Sequence, residues 1–176
     1  MEDNLSNIED QLLVMDAQDG DSEAMEKLVR RWQKKLWQYV FRLTSDIHAA
    51  WDITQQCWLE IIKGLKKLND PACFRPWAYR IATNKSIDWL KNKSKDQHIN
   101  LDLVEVGCDR EKNDLGAEEL VQRLKDESRT VLILYYFEQL TISEISFALN
   151  IPAGTVKSRL HSARKELKEL WRKHFE

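Results

Sequence analysis

Residues 141–165 read TISEISFALNIPAGTVKSRLHSARK, and this stretch decides the fold: a short helix, a sharp turn, then a second helix with an apolar inner side and a basic outer one. Thr141 followed by Glu144 is the pattern of a capping box, in which the hydroxyl caps the new helix and the carboxylate reaches back. Ile142, Ile145, Ala148 and Leu149 share one face of that helix. Asn150 accepts the left-handed conformation that ends a helix and Pro152 cannot continue one, so the chain turns and restarts at Ala153 or Gly154. In the second helix Val156, Leu160, Ala163, Leu167 and Leu170 keep the three-and-four spacing of a buried stripe. Lys157, Ser158, His161, Ser162, Arg164, Lys165 and Lys168 therefore turn outward. Cations on such a face bind phosphate, while side chains near the helix start reach base edges in the major groove. The tight Asn-Ile-Pro turn favours this reading over an ordinary helix pair with a solvated basic face.

Working outward, helices are expected at 116–124 and 127–138 before this pair, which itself spans 142–149 and 154–174. The segment TVLILYYF at 130–137 has strand propensity, but its helical neighbours and the capping residues Asp126 and Ser128 favour a buried helix. Towards the N-terminus the pattern predicts helices at 8–18, 22–44, 46–67 and 75–94, broken at Asp19-Gly20-Asp21, Ser45-Asp46 and Asn69-Asp70-Pro71. Residues 96–116 keep no helical period and hold six acids against two bases, which makes them an acidic tether. The expected fold is all-α: a helical domain at 1–95, a linker at 96–116, and a helix-turn-helix domain at 117–176.

The net charge of −2 conceals strong alternation. Residues 1–26 carry nine acids and no Lys or Arg, residues 27–95 fifteen bases against five acids, and residues 128–176 eight bases against five acids. The local field governs nucleic-acid binding, so a near-neutral sum does not argue against DNA. No apolar run approaches the roughly 18 residues of a membrane span, and the acidic N-terminus is unlike a signal peptide, so a cytoplasmic protein is expected. Cys57, Cys73 and Cys108 lack metal-ligand spacing and the four histidines are scattered, so no metal or cofactor is expected. Neither paired carboxylates, a nucleophile with its base, nor a phosphate-cradling glycine loop is evident, so no enzymatic chemistry is expected either.

Two further helices carry candidate surfaces. The one at 46–67 is read with an inner stripe of Ile47, Trp51, Thr54, Trp58, Ile61, Ile62 and Leu65, leaving Asp52, Gln55, Gln56, Leu59 and Lys63 on the other side. In the next, Phe74, Trp77, Ala78, Ile81 and Ala82 face inward while Arg80, Thr83, Asn84, Ile87 and Lys91 share the opposite side, mixing cations, an amide and apolar atoms. Trp51, Trp58, Trp77 and Trp89 are assigned to the core.

The run Gly154-Thr155-Val156-Lys157-Ser158-Arg159-Leu160 with Ala163-Arg164 resembles the fourth conserved region of the extracytoplasmic-function sigma factors, small members of the bacterial sigma-70 family. Asp52 to Trp58 (DITQQCW) resembles their second region, and Phe74 to Leu90 their minus-ten recognition helix. The resemblance covers roughly 16–95 and 117–171. It implies a transcription initiation factor without catalysis of its own, whose partners are core RNA polymerase, promoter DNA both duplex and single-stranded, and, as for many relatives, an anti-sigma protein. It implies that Asp52, Gln55, Gln56 and Leu59 dock on core polymerase, and that Leu68, Arg75, Arg80, Thr83, Asn84, Ile87 and Lys91 hold the minus-ten strand. It likewise implies minus-thirty-five contacts from Arg129, Thr155, Lys157, Ser158, Arg159, His161, Ser162, Arg164 and Lys165, with Arg129 and Arg164 on phosphate. Gln56 stands where the family usually has an acid, Leu68 where many relatives have an aromatic, and Ser162 where some have arginine.

The implied promoter elements lie about seventeen base pairs apart, ~58 Å at roughly 3.4 Å per pair. A tether of about twenty residues extends to ~70 Å but has a flexible root-mean-square span near 25 Å, so it reaches only when stretched. Two rivals remain on sequence alone: a helix-turn-helix regulator that is not a sigma factor, and a helical adaptor binding protein partners through 46–67 and 142–174.

Overall fold

Aspartates at the expected breaks start the first helices of the computed structural model, which describes residues 2–99 and 116–175. After α1 (Glu2–Gln18), Asp21 accepts from the Glu23 and Ala24 amides and opens α2 (Ser22–Thr44). Asp46 accepts from the Ala49 amide and opens α3 (Ile47–Gly64). Two single 3-10 turns, Leu65–Lys67 and Pro71–Cys73, lead into α4 (Phe74–Ile99). The second set comprises α5 (Ala117–Gln122), α6 (Asp126–Tyr136), α7 (Ile142–Leu149) and α8 (Ala153–Phe175). Every described element is helical, as expected, and residues 130–136 lie in α6 rather than in a strand.

The expected ends shift for local reasons. α1 begins six residues earlier than read and packs Val14 and Ala17 into the core. Its Asp10 is buried against Arg31, at 2.8 Å. α6 stops at Tyr136, because the Glu138 amide turns back to the Ile133 carbonyl and Gln139 takes a left-handed φ of 57°. α4 runs four residues past the expected boundary at Lys95. The remainder of the acidic tether, 100–115, lies outside the described residues.

The N-terminal core is built on aromatic edges: Trp32 meets the Phe74 ring at 5.2 Å and Tyr79 at 5.7 Å, and Tyr39 meets Tyr79 at 5.0 Å. Burying a large apolar side chain stabilises by roughly 1.5–3 kcal/mol, and edge-to-face pairing adds to that. Gly64 lets Trp77 close on the end of α3; a Cβ there would stand 2.9 Å from the indole ring. In the second set Val131, Ile145, Val156, Leu160 and Ala163 are buried between α6, α7 and α8. The two sets are not separate in this structure: α7 lies on α4, and α6 on α2.

The inner stripe of α3 differs from the expected one. Ala49, Ala50, Ile53, Thr54, Cys57, Trp58 and Ile61 are buried, whereas Ile47, Trp51 and Ile62 are each about half exposed. The inner face thus mixes small residues with Ile53, Trp58 and Ile61, and is turned relative to the expected one. Among the described residues no helix is long and apolar enough to cross a membrane.

Candidate nucleic-acid interface

The helix-turn-helix forms as its residues dictate. Thr141 and Glu144 make a reciprocal capping box, with the Thr141 amide donating to Glu144 at 2.8 Å. Asn150 closes α7 at φ 53°. Val156, Leu160 and Ala163 anchor α8 inward. That leaves Lys157, Ser158, His161, Ser162, Arg164 and Lys165 exposed on its outer side, as read from the sequence. Thr155 and Arg159 are half-buried, and Arg159 reaches Glu127 at 2.9 Å. Arg164 donates from Nε to the Tyr136 hydroxyl at 2.8 Å and lies over both the Tyr135 and Tyr136 rings, so its guanidinium is held in place while still open to solvent.

Arg129 departs from its expected phosphate-binding role. It is only 9% exposed, donating to Asp126 at 2.8 Å and to the Gln122 carbonyl at 3.2 Å, and so ties α5 to α6. Burial of a charge demands such partners, which removes this guanidinium from the surface.

On α4, Asn84 and Lys91 are exposed, and Arg80 and Ile87 are half-buried. Thr83 was expected on the same open side but is buried: its hydroxyl pairs with the Tyr39 hydroxyl at 2.6 Å and donates to the Tyr79 carbonyl at 2.7 Å. Arg75 donates to the Glu138 carbonyl. Leu68 is partly buried against the core, and its carbonyl accepts from Gln18 at 2.7 Å, so it is no freely projecting stacking platform. A cleft of about 660 Å³ brings Thr83, Asn84, Ile87 and Lys91 opposite Asp126, Glu127, Arg129 and Arg159.

Glu138, which sequence reasoning missed, sits at the junction of the two helical sets. It is 9% exposed and meets Arg42 at 3.2 Å, while the Tyr79 hydroxyl donates to its other carboxylate oxygen. Burial pushes its carboxyl above the usual range, although Tyr79, Arg42 and Arg75 pull the other way.

The outer side of α3 presents Asp52, Gln55, Gln56 and Leu59, all exposed as expected. Ile47, Trp51 and Ile62 join Leu59 there as an apolar stripe. Trp51 leans on Trp37 at 5.6 Å, and Trp37 stacks on Phe41 at 5.3 Å. Exposed apolar side chains gathered on one side of a helix make a candidate protein-binding surface. Its signal in the sequence was the Ala49-Ala50 and Cys57 positions, whose small side chains define the true inner face. No group of metal-ligating side chains occurs among the described residues.

Comparison with known proteins gives two family matches. Residues 28–96 match the profile described as Sigma-70 region 2, and residues 116–167 that described as Sigma-70, region 4. The chain is 30% identical over 168 residues to the ECF RNA polymerase sigma factor SigW of Bacillus subtilis, covering 85% of this chain and 90% of SigW. It is 26% identical over 181 residues to the RNA polymerase sigma-H factor of Pseudomonas aeruginosa, covering 93% and 94%. Among solved structures it is similar in fold to CnrH in complex with the cytosolic domain of CnrY, with TM-score 0.71, 22% identity, and 93% and 97% of the chains covered. It is similar again to the sigma factor RpoE in complex with the anti-sigma factor NepR from Bartonella quintana, with TM-score 0.69, 16% identity, and 84% and 96% covered.

Proposed function

The chain belongs to the extracytoplasmic-function branch of the sigma-70 family and, as a sigma factor, directs RNA polymerase to promoters for transcription initiation; from that premise we propose how the work is divided among its helices. The outer side of α3 docks on core polymerase. Asp52, Gln55 and Gln56 supply polar contacts, and Leu59 with the flanking Trp51 and Ile62 supplies apolar anchorage.

The minus-ten strand is held by α4 and the loop before it, with Asn84 as hydrogen-bonding partner of an unstacked base, Ile87 as its apolar neighbour, and Arg80 and Lys91 on the backbone. Each base held in this way contributes ~1–3 kcal/mol. The outer face of α8 enters the minus-thirty-five major groove, where Lys157, Ser158, His161 and Ser162 reach base edges and Arg164 and Lys165 bind phosphate. With Ser162 in place of an arginine, this chain prefers a different minus-thirty-five sequence or depends less on that element.

The domains proposed are 1–95 for docking and melting and 117–176 for duplex reading. The factor is cytoplasmic, catalyses nothing itself, and has an anti-sigma protein as a second partner. The observation that carries the division is the exposed polar face of α8 on a capped helix-turn-helix, in one chain with the exposed Asn84 and Lys91 of α4.

The test mixes the purified protein with bacterial core RNA polymerase on genomic DNA and sequences the transcripts, with and without Asn84→Ala. Defined starts that share upstream sequence and fall at least about tenfold with the variant are expected. Equal yields from the same starts would move minus-ten recognition away from α4.

A further inference from the structure

The last residue of α1 reaches into the loop that precedes α4. Gln18 donates from its one amide nitrogen, Nε2, to the Leu65 carbonyl at 2.8 Å and to the Leu68 carbonyl at 2.7 Å. Those carbonyls flank the 3-10 turn Leu65–Lys67, which the Leu68 amide closes on the Leu65 oxygen at 3.0 Å. A side-chain amide is a neutral group with two N–H donors on a single atom, so it can bridge two carbonyls. A glutamate carboxylate only accepts, and a methionine of similar length offers no donor at all.

Gln18 is itself held in place. Val14 and Ala17 bury the same end of α1, and Gln18 is half-buried beside them. The helix then stops at once: Gly20 takes a φ of 99°, the Asp21 amide returns to the Asp16 carbonyl at 3.0 Å, and the Asp21 side chain caps α2.

The loop needs such a grip. Its two single turns form no continuous helix, and α1 lies along both of them. Leu65 and Phe74 bury its ends, but Lys66, Lys67, Asn69 and Asp70 between them are exposed. The Ala72 and Cys73 amides turn back on Asp70 at 2.9 Å, within the loop itself. Gln18 thus ties the middle of the loop to a separate, packed helix. Recognition of an unstacked base requires polar groups at fixed positions, which a loop that opens locally does not supply.

We propose that Gln18 is a positioning residue for minus-ten recognition: it staples the loop before α4 in the conformation that meets the unstacked base. α1 thereby takes part in promoter selectivity through the loop and not by its own contact with DNA. The inference rests on the assignment of α4 and this loop to the minus-ten strand.

Gln18→Met keeps the length and apolar stem of the side chain and removes both donors. In the free full chain, hydrogen exchange at the Leu68–Cys73 amides should quicken at least about fivefold, with α2 and α8 unchanged. With core polymerase, transcription is then compared between a promoter found by the start-site sequencing and its single-base variants in each element. Gln18→Met should lower discrimination among minus-ten bases at least about fivefold and leave discrimination at the minus-thirty-five element as in wild type. Asn84→Ala is run alongside. If Asn84→Ala lowers minus-ten discrimination and Gln18→Met does not, the staple is overturned and the assignment of α4 stands. If neither variant changes it, the minus-ten assignment fails and this inference with it. Unchanged loop exchange, or equal losses at both promoter elements, would also overturn the positioning role. Should Gln18→Met lose helical content, Gln18→Glu decides by the same measurements.

Discussion

α4 and α8 are the two helices proposed to hold DNA, yet they meet opposite conditions in the free chain. The outer face of α8 is exposed from Lys157 to Lys165, and its buried stripe rests on three short helices, α5, α6 and α7. The corresponding face of α4 is partly covered, and behind it lie the packed rings of Trp32, Tyr39, Phe74 and Tyr79. The difference fits what each helix is proposed to do. Reading a duplex needs only a rigid rod with projecting side chains, whereas holding an unstacked strand needs a pocket with a fixed floor, and the same floor invites another domain to sit on it.

The largest effect should come from beneath α4. Trp32→Ala removes a ring in edge contact with both Phe74 and Tyr79, at an expected cost of ~3–5 kcal/mol, read from the urea midpoint. No substitution on the outer face of α8 should approach that, since exposed changes usually stay within about 0.5 kcal/mol of stability; a comparable loss from Lys157→Ala would break the contrast. On duplex promoter DNA the order reverses. Lys157→Ala should cost about 1–3 kcal/mol and relax sequence preference if it contacts a base. Arg164→Ala should weaken all sequences alike and lower the slope of log affinity against log salt by about one. Titrations across salt separate the two.

The smallest effect concerns the cap of α3. The Ala49 amide, aided by Lys93, holds the Asp46 carboxyl below the usual carboxylate range. A lowered folded-state value means stabilisation present above the unfolded value and lost as pH falls through the folded one. Asp46→Ala should therefore cost about 1 kcal/mol at neutral pH, and the gap to wild type should close in acid, as followed by thermal melts over a pH series.

Much of the fold was legible because its punctuation is local. Asp21, Asp46, the Thr141-Glu144 box and Asn150 each act on their own neighbours, and each forms the cap or stop that its type suggests. The phase of α3 was misread at Ile47, Trp51 and Ile62, which are half exposed, while Ala49, Ala50, Ile53 and Cys57 take the inside. What could not be read depends on distant partners. Thr83 is buried because Tyr39, 44 residues away, offers a hydroxyl. Arg129 is the local exception, turning inward for the Gln122 carbonyl and Asp126, seven and three residues away. Glu138 looks like an ordinary acid after a helix until α2 and α4 bring two arginines and a tyrosine to it. The open face of α8 needed no such partner, which is why its outward residues were found and those of α4 only in part.

Gly64 has a mechanical consequence. With no side chain at the end of α3, the Trp77 indole lies directly on that helix, so the segment proposed to dock on polymerase and the segment proposed to hold the melted strand are in direct contact. Under that assignment a load applied at one would pass to the other through packed atoms, and strand separation would draw on the same binding energy that recruits the factor.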